Sequence, residues 1–198
     1  MWKPSDEFAG AALVLVLLGG GCATGPERPP GLASADVSAA LRDRYSQAIA
    51  AMKAGEWQTA IDRFESISRE NDALSGPYLN SGIAYAQAGD RDRAMSALQA
   101  SIDRNPDNPI AYNQLGILYR QSGNFEQAAT MYRRALQADS ACADAEWNLG
   151  VLYDIYLQQP AEAQQHYERF RQLAGAAAST PQPVVAGTPQ LTVGVRQP

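Results

Sequence analysis

Residues 109–142 read PIAYNQLGILYRQSGNFEQAATMYRRALQADSAC, and this stretch decides the fold. Before Ser122, the residues Tyr112, Leu115, Gly116 and Tyr119 recur at spacings of three and four, the period of an amphipathic helix. Ser122-Gly123-Asn124 interrupts the pattern, and a second helical run carries Ala128 and Tyr132. Gly123 suits the left-handed residue that ends one helix, and Asn124 suits the cap of the next, with Gln127 at capping-box spacing. At the front edge, Asn108-Pro109 places a capping residue before a proline at the first helical position. The stretch therefore encodes two helices and a tight turn.

The same unit recurs along the chain. Aligning Gly55, Gly89 and Gly123, which are 34 residues apart, also aligns Ala60, Ala94 and Ala128, then Phe64, Leu98 and Tyr132, then Ile49, Ile83 and Ile117. The blocks are 41–74, 75–108, 109–142 and 143–174, the last with Leu149, Gly150 and Tyr153 in place but its second half displaced by one residue, onto Ala163 and Tyr167. This pattern resembles the tetratricopeptide repeat, whose 34-residue signature runs W-x2-L-G-x2-Y, then A-x3-F, then P. The resemblance implies an all-α, right-handed superhelical solenoid of about four helix-turn-helix repeats over residues 38–174. Eight helices are predicted near 38–54, 57–70, 76–88, 91–104, 109–122, 125–138, 143–157 and 160–174. Small residues on both helices of a pair should let the axes approach closely, with Gly116 facing Ala128 in the third repeat. The last helix, with its stripe Ala163, Tyr167, Phe170 and Leu173 and a polar remainder, should serve as the terminal cap that solenoids need.

The ends read differently. Phe8 to Leu18 is a run of 11 residues without a charge, followed by Gly19, Gly20, Gly21 and Cys22. The run is too short for a bilayer-spanning helix and has the layout of a signal peptide over residues 1–21. Cys22 resembles the acceptor cysteine of bacterial lipoproteins, although Gly19 stands where such sequences usually carry Leu, and Asp6 and Glu7 accompany Lys3 in the leading segment. The resemblance implies cleavage before Cys22 and acylation of it, each buried methylene contributing about 0.8 kcal/mol to membrane anchoring. With Ala23 next, and no Asp, it also implies an outer-membrane lipoprotein facing the periplasm. Residues 22–37 are rich in Pro, Gly and small residues and read as a tether; residues 175–198, with Pro, Gly, Ala and Thr and no helical period, read as a disordered tail.

Composition narrows the chemistry. The chain has 198 residues, 45% apolar and 19% charged, with 16 Lys plus Arg against 21 Asp plus Glu and no basic cluster, which argues against nucleic acid as a partner. One histidine and two cysteines offer no metal-ligand spacing, so neither metal nor cofactor is expected. His166 lies on the polar capping helix, and Asp90, Asp92, Asp103 and Asp107 fall at turns and helix ends, where capping explains them. No catalytic residue is therefore assigned. Cys142, flanked by Ala141 and Ala143, suits burial between helices.

What remains is binding. In tetratricopeptide arrays the first helices of each pair line a concave groove. Carried over by position, the groove would hold the β-branched row Ile49, Ile83, Ile117 and Val151, the polar residues Asn80, Gln114, Asn148 and Asn113, and Leu79, Trp147, Arg120 and Ile155. Trp147, Val151 and Ile155, spaced by four, should form one apolar helix face. An apolar row beside paired amide donors and acceptors suits a peptide segment of a protein partner. The resemblance to tetratricopeptide lipoproteins implies an adaptor that assists an envelope complex, as do pilotin-like factors for type IV pili and scaffolds for peptidoglycan enzymes; accessory components of TonB/ExbB-type or gliding-motility systems are an alternative. An enzyme activator and a structural homo-oligomer are the competing classes.

Overall fold

The computed structural model describes residues 39–179 and is all-α in that range. The elements are α1 (Ala39–Lys53), α2 (Trp57–Glu70), α3 (Ser75–Gln87), α4 (Arg91–Arg104), α5 (Pro109–Gln121), α6 (Phe125–Ala138), α7 (Ala143–Val151), a π-helical turn (Leu152–Tyr156) that continues α7, and α8 (Pro160–Ser179). Each helix packs on the next in sequence, and α1, α3, α5 and α7 also touch one another in order. These are eight helices stacked as tetratricopeptide repeats. No described helix is long and apolar enough to cross a membrane. Residues 1–21, Cys22, the tether 22–37 and the tail from residue 180 lie outside the described range.

The internal turns follow from their glycines. Gly55, Gly89 and Gly123 have φ of +75, +85 and +77°, and the residue after each of the last two donates its N–H back across the turn, Asp90 to Tyr85 O and Asn124 to Tyr119 O at 2.9 Å each. That bond closes the carbonyls left open at the end of the first helix. Asp90 caps α4 by accepting from Arg93 N, and Asn108 caps α5 by accepting from Ile110 N and Ala111 N. Asn124 makes no side-chain cap bond, so the capping box expected with Gln127 does not form and the turn rests on its backbone bonds.

Close approach within a pair takes a different form from the expected one. A Cβ on Gly116 would lie 2.5 Å from Tyr132 Cε1, so the glycine receives the Tyr132 ring rather than Ala128. Gly82 receives Leu98 and Gly150 receives Tyr167 in the same way. The small residue on the first helix is a socket for the large residue on the second, while Ala60, Ala94 and Ala128 are fully buried beside it.

The fourth repeat departs from the period. Gly116 and Tyr132 are 16 residues apart, whereas Gly150 and Tyr167 are 17 apart. The extra residue is taken up as the π turn, with Leu157 N bonding to Leu152 O at 3.0 Å, and by Gln158, which occupies the left-handed place that glycine holds elsewhere, at φ 55°. Helix α7, predicted to run to 157, gives way to the π turn after Val151 for this reason. Helix α8, predicted to end at 174, continues to Ser179. Alanines at 174, 176, 177 and 178 are strong helix formers that carry it through Gly175.

Candidate partner-binding groove

The first helices place their ninth residues in a line. Ile49, Ile83, Ile117 and Val151 are all half-buried. Ile49 and Ile83 lean on the main core, and Ile117 on the cluster around Tyr132 and Leu149, so each packs with one flank and leaves the other to solvent.

The polar residues divide into those the fold uses and one that it does not. Asn80 Nδ2 donates to Tyr45 Oη at 2.5 Å and to Gly76 O at 3.0 Å, while Asn148 Nδ2 donates to Asn113 Oδ1 at 3.0 Å. Both inter-helix bonds join residues 35 apart, the fifth position of one repeat to the sixth of the next. Asn80 and Asn113 are buried, and these amides tie helices together. At the intervening step the fifth residue is Leu79, which has no polar group to offer. Gln114, its counterpart in register, is half-buried and has no hydrogen-bond partner among the described residues. Leu79 itself is fully buried and belongs to the core, not to the groove wall as expected from its position.

Arg120 is also half-buried on α5. Its guanidinium lies 5.8 Å from the centre of the Tyr156 ring, and its Nε is buried without a hydrogen bond, as is the Tyr132 hydroxyl. Burial pushes the Tyr132 phenol up to about 12, with the Arg120 charge pulling the other way. No ion pair is formed by Arg120 among the described residues.

Trp147, Val151 and Ile155 do not form the expected continuous face. Trp147 packs against Tyr167 and Phe170 of α8, with ring centres 5.3 and 5.2 Å apart, and so turns toward the end of the array. Ile155 lies inside the π turn and is 63% exposed. A π turn holds more residues than an α turn, so a spacing of four no longer stacks Ile155 over Val151. The same turn lays Tyr156 against Phe125, with centres 4.8 Å apart, a contact that the sequence signalled only through the one-residue offset of the fourth block.

His166 takes part in a structural cluster. Its Nδ1 lies 2.7 Å from Glu146 Oε2, its ring stacks on Tyr153 at 5.5 Å, and Arg169 Nε approaches the other Glu146 oxygen at 3.6 Å. The nearly buried Glu146 carboxylate is thus matched by two groups of α8 and holds that helix onto α7.

Two family models, both described as tetratricopeptide repeat, match residues 45–109 and 85–149, which together span more than half of the chain. No curated protein matches it in sequence. Among solved structures it is similar to MamA (41-end) from Desulfovibrio magneticus RS-1, at 19% identity and a TM-score of 0.61 over 70% of this chain and 78% of that one. TTC0263, a thermophilic TPR protein of Thermus thermophilus, gives 20% identity and a TM-score of 0.60 over 70% and 80%. The Yersinia enterocolitica type III secretion chaperone SycD, solved with a peptide of the translocator YopD, gives 13% identity and a TM-score of 0.51 over 73% and 99%. At these identities the likeness is one of fold. With the family matches, the 34-residue period and the glycine sockets in agreement, the chain belongs to the tetratricopeptide repeat family, whose domains are protein-interaction scaffolds.

Proposed function

We propose that the chain is a non-enzymatic adaptor that holds a peptide segment of an envelope protein in its concave groove while a lipid on Cys22 tethers it to the outer membrane, facing the periplasm. The observation that carries the binding reading is the half-buried row Ile49, Ile83, Ile117 and Val151 beside the unpaired amide of Gln114. An apolar side chain of the partner would complete the burial of the row, and its backbone would pair with Gln114. Assembly of a pilus secretin or placement of a peptidoglycan enzyme are the tasks this arrangement suits.

The test is Ile117→Asp in the full chain. A buried, unpartnered carboxylate in the row should abolish crosslinking to the partner in intact envelopes while helical circular dichroism and melting stay near wild type. If the variant unfolds, Ile117 is core; if it folds and crosslinks as before, the groove is not the binding surface. The anchor is tested by palmitate labelling, which should enter the wild type and not Cys22→Ser. Cys142, the chain's other cysteine, is fully buried, so label in both proteins, or in neither, would sink the lipid anchor.

A further inference from the structure

We propose a second docking surface, separate from the groove, at the α7–α8 end of the array, and infer that its occupant is an amphipathic helix of another protein that stacks there as the first helix of a fifth repeat would. The surface continues an interface that the fold already uses three times. Tyr45, Leu79 and Asn113, the fifth residues of the first three repeats, are 1%, 1% and 4% exposed because the next repeat covers them. Trp147 holds the same position in the fourth repeat and is 47% exposed. On the second helices, Ile67, Ser101 and Ala135 are likewise fully buried, whereas their counterpart Phe170 is only half-buried and lies against Trp147. Ala163 stays 2% exposed and Tyr167 stays seated over Gly150, so α8 is packed on α7 and the exposure marks a missing neighbour rather than a loosened helix.

The seat also says what fits it. Helices α3, α5 and α7 enter with Pro77, Ala111 and Ala145 at the third place, Asn80, Gln114 and Asn148 at the sixth, and Ala84, Leu118 and Leu152 at the tenth. The third and tenth are buried in all three. A small residue, a polar one three places on and an apolar one four further share a helix face. Trp147 Nε1–H has no hydrogen-bond partner among the described residues, so the incoming sixth residue should offer an acceptor, the reverse of the fifth-to-sixth bonds above, in which the sixth residue donates. A second copy of this chain does not meet these terms with its α1, where Asp43 and Ala50 hold the third and tenth places and are exposed, with Ser46 between them. The chain is thus polar at its first helix and aromatic at its last. A segment such as 180–198, interrupted by Pro181, Pro183 and Pro189, is not a helix former either.

The probe is a synthetic peptide with the sequence of residues 107–121, which carries α5 with its Asn108 cap and contains no tryptophan. The receptor is the full chain with Trp2→Phe and Trp57→Phe, leaving Trp147 as the reporter. Added peptide should shift its emission to the blue and reduce acrylamide quenching several-fold. Phe170→Glu should remove the response, and Ile117→Asp in the groove should leave it intact. If Phe170→Glu loosens α8 by circular dichroism, Phe170→Ala replaces it and should weaken the peptide's affinity. No response up to about 1 mM peptide, where even weak docking would register, overturns the proposal. So does a response that depends on Ile117, or one indifferent to Phe170.

Discussion

Replacing Gly116 by alanine sets two effects of opposite sign against each other, and the structure says which prevails. In a helix interior, glycine to alanine gains about 1 kcal/mol from backbone entropy. Here the added Cβ would stand 2.5 and 2.6 Å from two carbons of the Tyr132 ring, about an ångström inside ordinary contact. The ring cannot give way cheaply, because Tyr132 is fully buried among Ala128, Ala129, Leu149 and Leu152. Overpacking of this kind costs about 1–3 kcal/mol and here should reach or exceed the upper end. The net loss should be about 2 kcal/mol or more, or a fall in Tm of at least about 4–8 °C, read by circular dichroism during thermal and urea unfolding. The decisive comparison is a cycle with Tyr132→Ala. That change alone costs about 3–5 kcal/mol, but with the ring gone Gly116→Ala should become stabilising by its propensity gain. A Gly116→Ala effect of the same sign in both backgrounds would refute the socket account of these glycines.

Three further outcomes follow from single residues. Gln158 sits at φ 55°, a conformation that costs a residue with a Cβ about 1 kcal/mol, so Gln158→Gly should raise the urea midpoint, while Gly123→Ala, at φ +77° with open space around its Cβ, should lower it by a similar amount. Tyr132 keeps its proton to about pH 12 in the fold, against about 10 when unfolded; the unfolded state therefore releases its proton first, and stability should be full below pH 10 and decline as pH rises toward 12. Urea titrations across that range should show a shallower decline in Tyr132→Phe, with what remains arising from Tyr45, Tyr78, Tyr85 and Tyr167, whose pKa values the fold also raises. Asn148→Ala removes the bond to Asn113 and should cost about 1 kcal/mol of stability besides any effect on binding, so its melting point should fall, in contrast to Ile117→Asp.

The fold was legible because a period of 34 residues constrains many positions at once. Gly82 and Gly116 could be read as close-approach sites from sequence, since nothing else requires a glycine in mid-helix; what entered the space could not, because Ala128 and Tyr132 lie on the same helix face one turn apart. The offset of the fourth block was visible as Ala163 and Tyr167, yet an inserted residue can be absorbed in a turn, a bulge or a shifted helix, and backbone energetics distinguish these only once neighbours are in place. The π turn that resulted exposes Ile155 and moves Tyr156 onto Phe125.

The groove shows the same division between position and partner. Repeat position names the residues expected on the concave side, and Ile49, Ile83, Ile117 and Val151 among them are each half-buried. It does not say whether an amide there is spent, because that depends on the side chain 35 residues earlier. Tyr45 and Asn113 offer an oxygen and engage Asn80 and Asn148, whereas Leu79 offers none and leaves Gln114 unpaired. An internally bonded amide can serve a ligand only by giving up a bond worth about 1 kcal/mol, while an unpaired, half-buried one gains a partner at no such loss. Binding energy in this groove should therefore centre on the third repeat, where Gln114, Ile117 and Arg120, which forms no ion pair among the described residues, follow one another at three-residue steps along α5. On the proposed reading the first two repeats would supply apolar surface and a rigid wall.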